Sequence, residues 1–165
     1  MSKFNVLFVC HGNICRSPMA HMILHEMIQK DGLSDRVFVS SRATHTDEIG
    51  EPVYYETVRV LKQNNVPILP HKATQIKADD YDKYDIIVCM DDENINSLRR
   101  IFGMKFNENI KFLLEFAHEN LNNESVLRSD LIVKDPYYTR DFEKCYTDIV
   151  RGCAGLMEYI KCKIC

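Results

Sequence analysis

The sequence has no run of roughly 18 apolar residues, the length that a membrane-spanning helix needs. It also lacks a marked excess of charge, because 21 Lys and Arg stand against 24 Asp and Glu, a net charge of −3. This balance argues against a nucleic acid or an anionic membrane as a partner. The short apolar run near the N-terminus lacks a signal-peptide cleavage site, so we expect a cytoplasmic protein.

A regular cysteine framework is also lacking, since the seven cysteines are odd in number and unevenly spaced. Such a set is typical of a reducing compartment. No internal repeat or low-complexity tract interrupts the 165 residues, so we expect one domain over residues 1–165. His21 and His25 would share one face of a helix, but the pattern indicates no third metal ligand. We expect a solvated face there, and neither a metal nor another cofactor.

Apolar segments typical of buried strands alternate with segments of helical periodicity. Strands are predicted at residues 6–9, 36–40, 85–90 and 110–114. Helices are predicted to begin at Pro18, at Pro52, after Asp91 and at Phe142, the last with the longest apolar stripe. Strands alternating with helices indicate an α/β fold with a parallel sheet covered on both faces.

The most informative stretch follows the first strand, which ends at Cys10. Five residues separate this thiol from Arg16, and Ser17 and Pro18 then suit the cap and first position of a helix. A short loop ahead of a helix N-terminus gathers backbone N–H groups and the positive end of the helix dipole. The pattern therefore predicts an anion site with a nucleophile inside it.

The residue types inside this loop suit a tetrahedral dianion. Gly12 lets the backbone approach the ligand closely, and Asn13 tolerates the left-handed conformation that a tight curl requires. The guanidinium of Arg16 can bind two oxygens at once. The same positive field should favour the thiolate form of Cys10, and Ser17 can donate a hydrogen bond to the sulfur.

The stretch from Cys10 to Pro18 resembles the phosphate-binding loop of the low-molecular-weight protein tyrosine phosphatases. A second match is the sequence Asp135-Pro136-Tyr137-Tyr138, which is similar to the general-acid motif of that family. The resemblance implies a Rossmann-like three-layer sandwich with a four-stranded parallel sheet in the order 2-1-3-4. It also implies a metal-independent enzyme that hydrolyses phosphotyrosine in proteins, and aryl phosphates, through a cysteinyl-phosphate intermediate. We expect a monomer, although no residue pattern determines the oligomeric state.

The resemblance also implies roles for individual residues. The catalytic residues would be Cys10, Arg16 and Asp135. Cys10 and Cys15 would form a reversible, protective disulfide. Asn13, Ser17, Ser41 and His71 would brace the loop. The residues expected to contact a phosphotyrosine, a phosphate or another oxyanion are His11, Gly12, Asn13, Ile14, Cys15, Ser17, Asp47, Tyr137 and Tyr138.

Three features depart from the family pattern. His11 stands where a hydrophobic residue is usual, and Asp47 lies where a bulky aromatic residue, often Trp, is expected; the chain has no Trp. We therefore expect a more polar rim around the site. The stretch from Phe116 to Ser129 is longer and more polar than usual, which fits either a surface insertion or a disordered excursion.

Two other functions stay open at this stage. An arsenate reductase is built on a similar loop but needs a pair of further thiols after the third strand, where Cys89 has no close partner. A non-catalytic phosphotyrosine-binding module would keep the fold without the reaction. The presence of Cys10, Arg16 and Asp135 together favours the phosphatase.

Overall fold

The structure is a computed structural model that describes residues 2–118 and 125–165. Four strands form one sheet: β1 (Phe4–Cys10), β2 (Val37–Ala43), β3 (Ile86–Cys89) and β4 (Ile110–Phe112). The α-helices are α1 (Arg16–Lys30), α2 (Tyr55–Gln63), α3 (Asp92–Phe102), α4 (Pro136–Thr139) and α5 (Phe142–Ile164). Within the described part of the chain, no helix has the length and apolarity required to span a membrane.

All strand pairs are parallel and their order is β2-β1-β3-β4, which confirms the predicted topology. The central strand β1 explains why both faces are covered, because its side chains alternate between two cores. Val6 and Phe8 pack in a core with α1 and α5, whereas Leu7 and Val9 pack with α3. The carboxyl end of β1 lies between β2 and β3, where the strand order reverses and ligands bind in such sheets.

The start of α1 differs from the prediction. Cys15 occupies the N-cap position without a side-chain hydrogen bond, and the helix begins at Arg16, so Ser17 is not the cap. The reason is a competing contact, since the Ser17 hydroxyl lies 3.0 Å from the sulfur of Cys10. Pro18 is still tolerated, because the first four N–H groups of a helix have no intrahelical acceptor.

Three other boundaries differ from the predicted ones. Helix α2 begins at Tyr55 and not at Pro52, since the Tyr54 N–H donates to the Ile14 carbonyl and holds the preceding segment extended. Strand β2 continues beyond Ser40 to Ala43, because it pairs with β1 as far as Cys10. Strand β4 is shorter than predicted and passes directly into a 3₁₀ helix over Leu113–Ala117.

The apolar stripe predicted for α5 is confirmed and forms much of the core. The helix packs closely on the segment after β4, because a Cβ on Gly155 would lie only 1.8 Å from the Phe116 carbonyl oxygen. Of the stretch from Phe116 to Ser129, predicted as a surface insertion or a disordered excursion, residues 119–124 lie outside the described residues. Its far end is in contact with the fold, since the Arg128 guanidinium lies over the Phe112 ring and bonds to Asp92.

Candidate active site

The thiol of Cys10 lies at the carboxyl end of β1, buried beneath the loop that follows it. Three hydrogen-bond partners surround its sulfur. The Ser17 Oγ is 3.0 Å away, the Asn13 N–H donates over 3.3 Å and the Ser17 N–H over 3.4 Å. Donors converging on one sulfur stabilise a thiolate there.

Asn13 organises this loop from within. Its backbone has φ 59°, the left-handed conformation that the sequence predicted for this position. The side-chain amide donates to Ser17 Oγ at 2.8 Å and to Ser41 Oγ at 2.9 Å, while its oxygen accepts from the Thr74 N–H. Because the Ser17 oxygen already accepts from Asn13, the Ser17 hydroxyl hydrogen is free to be donated to the sulfur of Cys10.

His71 braces the same loop from outside. Its Nε2 lies 2.7 Å from the carbonyl oxygen of Asn13, which can only accept, so Nε2 carries a hydrogen. Burial lowers the pKa of His71 and the bond to Asn13 only partly opposes this shift, so the neutral ring is the donor. The structure thus brings together Asn13, Ser17, Ser41 and His71, and adds Thr74.

Arg16 is the buried cation of the site, with a side chain 2% exposed. Its guanidinium donates to Asp91 Oδ2 at 2.5 Å and to the Val133 carbonyl oxygen at 3.0 Å, and it lies 3.4 Å from Asp135 Oδ2. Burial alone lowers the pKa of Arg16, but the charges of Cys10, Asp91 and Asp135 raise it above its usual value. The guanidinium is therefore a permanent positive charge beside the thiol.

Asp135 approaches the site from the other end of the chain. It is the N-cap of the one-turn helix α4, where its Oδ1 accepts from the Tyr137 N–H at 3.0 Å and its Oδ2 faces Arg16. Tyr137 and Tyr138 follow on α4 and are 60% and 79% exposed, with their rings packed edge to face. A carboxyl group and two aromatic rings therefore stand over the mouth of the loop.

These groups enclose a cleft of about 360 Å³ above the thiol. Most of the predicted contact residues line it. Asn13 and Ser17 do not, because both are fully buried and support the loop from below. Its lining residues are Cys10, His11, Gly12, Ile14, Cys15, Arg16, Asp47, Glu48, Tyr54, Glu93, Asp135, Tyr137 and Tyr138.

His11 forms one corner of the cleft and is held on both sides. Its Nδ1 lies 2.5 Å from Glu93 Oε1 and its Nε2 lies 2.6 Å from Asp47 Oδ2. The ring stacks on His45, with centroids 4.0 Å apart and planes 9° from parallel. Burial lowers the pKa of His11, but the hydrogen bonds and charges of the two carboxylates outweigh this effect and raise it. The two polar residues that depart from the family pattern, His11 and Asp47, are therefore hydrogen-bonded to each other.

His11, His45 and Glu93 are close enough together to be considered as metal ligands. The stacked rings argue against a shared ion in this arrangement, because imidazole lone pairs lie in the ring planes and nearly parallel planes do not meet at one ion. His21 and His25 are not part of this cluster. His21 is also more buried than predicted, and this burial, with smaller contributions from neighbouring side chains, lowers its pKa to about 4.

Sequence reasoning missed several members of the site. The sequence predicts a helix after Asp91, and Asp91 is the N-cap of α3, but its carboxylate also accepts from Arg16. A signal was present, because Asp91 follows β3 and the carboxyl ends of adjacent parallel strands meet at one edge. No comparable signal pointed to Tyr54 and Glu93, which line the cleft, or to the Val133 carbonyl, which accepts from Arg16.

The fold and this geometry define a class: an α/β protein with an anion-binding loop built around a cysteine. Residues 5–164 match the family model described as low molecular weight phosphotyrosine protein phosphatase. The chain belongs to this family. As a member of it, the chain is a protein-tyrosine phosphatase, which is a hydrolase.

Individual relatives are similar to this chain over almost its whole length. The chain is 38% identical over 158 residues to the low molecular weight protein-tyrosine-phosphatase YfkJ of Bacillus subtilis, covering 95% of this chain and 96% of the relative. It is 35% identical over 156 residues to the human low molecular weight phosphotyrosine protein phosphatase, covering 93% and 94%. The crystal structure of YfkJ superposes with a TM-score of 0.89 at 36% identity, covering 99% and 98% of the two chains.

Proposed function

We propose that the protein hydrolyses phosphotyrosine in other proteins through a cysteinyl-phosphate intermediate, without a metal ion. The observation that carries this proposal is the convergence of three groups on one cleft. The Cys10 sulfur has donors at 3.0–3.4 Å, the Arg16 guanidinium is buried beside it, and the Asp135 carboxyl lies 3.4 Å from Arg16. These are a nucleophile, a cation for the transferring group and a proton donor.

In the first step the Cys10 thiolate attacks phosphorus, and the bond from phosphorus to the tyrosine oxygen breaks. Arg16 and the loop N–H groups stabilise the charge on the equatorial oxygens. The incoming phosphoryl group brings negative charge next to Asp135, which favours its protonated form. Asp135 then gives its proton to the departing phenolic oxygen, so that the product leaves as a neutral phenol.

In the second step water attacks the phosphorus of the cysteinyl-phosphate, and the phosphorus–sulfur bond breaks. The carboxylate of Asp135 accepts a proton from this water and thereby returns to its starting state. The sulfur leaves as a thiolate, which the Ser17 hydroxyl stabilises over its 3.0 Å contact. Tyr54, Tyr137 and Tyr138 line the mouth, where they can pack against the aromatic ring of the substrate.

The test is hydrolysis of a chromogenic aryl phosphate at mildly acidic pH, with EDTA present throughout. We expect turnover that EDTA does not change, since protein groups supply the nucleophile, the cation and the proton. Restoration by added Mg²⁺ or Zn²⁺ after a loss in EDTA would contradict the metal-independent mechanism. Phosphotyrosine and phosphoserine peptides of one sequence, compared in the same assay, then test the substrate class.

No observation favours arsenate reduction. The thiol of Cys89 is fully buried in β3, where it donates to the Lys111 carbonyl oxygen, and burial raises its pKa well above the usual value. No second cysteine lies between residues 90 and 103 to act as its partner. Thioredoxin-coupled turnover of arsenate would favour the reductase over the phosphatase. Stable binding of a phosphotyrosine peptide without hydrolysis would instead identify a binding module.

We also propose that Cys10 and Cys15 form a reversible disulfide under oxidation. Peroxide would convert the Cys10 thiolate to a sulfenic acid, and the Cys15 sulfur would then displace hydroxide from it. Burial, and next the negative charge of Cys10, raise the pKa of Cys15 to about 12. Oxidation of Cys10 removes that charge, which makes the Cys15 thiolate easier to form.

We expect peroxide-inactivated protein to regain activity with dithiothreitol, and Cys15→Ser protein to regain much less, because its sulfenic acid oxidises further. Disulfide closure should accelerate as pH rises, since Cys15 reacts as the thiolate. Cys162→Ser, at an exposed cysteine near the end of α5, is the matched control. Equal recovery of the Cys15→Ser and control proteins would remove Cys15 from this role.

We also propose a compartment and an oligomeric state for the protein. All seven cysteines are free, which supports a reducing compartment such as the cytoplasm. We propose that a single chain over residues 1–165 acts as a monomer, because the described cleft contains every group that the mechanism uses. Its partners would be proteins that carry phosphotyrosine.

A further inference from the structure

His11 joins three parts of the chain at the mouth of the cleft. It follows Cys10 directly, its Nε2 meets Asp47 of the segment 44–51, and its Nδ1 meets Glu93 in the first turn of α3. The two contacts, 2.6 Å and 2.5 Å, are shorter than ordinary N–H···O hydrogen bonds, and charge on both partners shortens such bonds. One imidazole ring therefore ties the loop around the thiol to both neighbouring walls.

The chemistry of imidazole makes this tie depend on charge. A neutral ring has one N–H and one lone pair, whereas the protonated ring donates from both nitrogens. Carboxylates only accept, so the neutral ring would point a lone pair at either Asp47 or Glu93. The observed geometry, with a carboxylate oxygen on each nitrogen, is therefore that of an imidazolium ion.

The two elements that His11 connects, segment 44–51 and the start of α3, both carry residues of the active site. Segment 44–51 is anchored at its start by the Thr44 N–H on the Cys10 carbonyl, and further along by the Gly50 N–H on the Ala73 carbonyl. Between these points Asp47 and Glu48 line the cleft, with Asp47 held by His11. On the other side, Glu93 lies two residues after Asp91, which holds Arg16.

We propose that charged His11 is a positioning residue that fixes the cleft wall for substrate, so that binding weakens as pH rises and the ring becomes neutral. This inference rests on the phosphatase function proposed above. His11 does not touch the reacting atoms in this scheme, because the thiol, Arg16 and Asp135 perform the reaction. The effect is therefore expected in KM and not in kcat.

The direction of this pH dependence follows from the charges around the His11 ring. Asp47, Glu48 and His45 face it from segment 44–51, Glu93 from α3 and Cys10 from its own loop, with Arg16 and Asp135 across the cleft. Burial lowers the pKa of His11, and the bonds to Glu93 and Asp47 raise it above 6.5 overall. The tie is therefore complete below pH 6.5 and is lost as pH rises through that raised value.

The test compares His11→Gln, which keeps a donor but no charge, with the unmodified protein between about pH 5 and pH 9. The ratio of their KM values is used at each pH, because ionisation of the substrate cancels in it. We expect the variant KM to be about three- to ten-fold higher at acid pH, as for loss of one charged hydrogen bond at a half-exposed site. The two KM values should converge at alkaline pH, with a constant kcat ratio.

His25→Gln is the matched control, since His25 lies on α1 and lines a different cleft. It should leave both constants unchanged. A KM ratio that does not vary with pH would overturn the proposal. An effect on kcat alone would do so as well, since it would place His11 in the reaction and not in positioning.

A second measurement needs no turnover. An NMR titration of the His11 ring should show a midpoint above that of free histidine, which Glu93→Gln and Asp47→Asn each lower. The dissociation constant of inorganic phosphate, again as a variant-to-parent ratio, should follow the same pH dependence. If these two results appear without any phosphatase activity, the proposed function fails while the tie stands. An unchanged titration in both variants would mean that the tie does not exist.

Discussion

Replacing Cys10 by serine is expected to lower kcat by roughly 10⁴- to 10⁶-fold, because a serine hydroxyl is a poor nucleophile without a general base beside it. The loop offers no such base. The groups around the sulfur are the N–H of Asn13 and the N–H and hydroxyl of Ser17, and all three are arranged as donors. The measurement is single-turnover and steady-state hydrolysis of an aryl phosphate.

The same variant should still bind inorganic phosphate, since Arg16 and the loop N–H groups remain. This retained affinity separates loss of the nucleophile from loss of the fold. Cys162→Ser is the control for a cysteine-to-serine change and should keep the parent rate. A Cys10→Ser protein with a rate within tenfold of the parent would exclude the cysteinyl-phosphate intermediate.

Asp135→Asn is expected to slow turnover by about 10²- to 10⁴-fold, the usual contribution of a general acid. Asparagine is the informative change because its oxygen can still accept from the Tyr137 N–H and keep the cap of α4. The slowing should be largest for substrates with poor leaving groups, which need protonation most. A series of aryl phosphates of graded phenol acidity measures this dependence.

Asp141→Asn is a matched control, because Asp141 is the exposed N-cap of α5 and has no contact with Arg16 among the described residues. Its rates should equal those of the parent for all leaving groups. If Asp135→Asn slowed every substrate equally, Asp135 would act through Arg16 or through the shape of the cleft and not as a proton donor.

The sequence and the structure agree best where short-range physics is sufficient. The apolar stripe of α5 and the apolar run of β1 are local patterns. Helix α5 begins at Phe142 as predicted, and β1 (Phe4–Cys10) includes the strand predicted at residues 6–9. The spacing from Cys10 to Arg16 also acts locally, because five residues are enough to curl the loop and bring N–H groups to one sulfur. This loop could therefore be predicted without knowing the rest of the fold.

The predictions differ from the structure where residues that are distant in sequence compete with local preferences. Ser17 has the chemistry of a helix cap, but its hydroxyl is used by Cys10 and Asn13. Arg16 could be predicted as an anion ligand, yet its resting partners are Asp91 and the Val133 carbonyl, 75 and 117 positions away. The local pattern around Arg16 does not identify these partners, and the one signal for Asp91, its position after β3, depends on the order of strands in the sheet.

His11 shows most clearly the difference between what local sequence determines and what long-range contacts determine. The sequence by itself determined the order of the elements and the loop around Cys10, since these depend on neighbours along the chain, and its resemblance to the family marked the polar residues at positions 11 and 47 as unusual. Only the tertiary structure decided that Asp47 and Glu93 meet opposite nitrogens of one ring. The physical reason is that the parallel sheet brings the ends of β1, β2 and β3 to one edge, where side chains far apart in sequence share one small space.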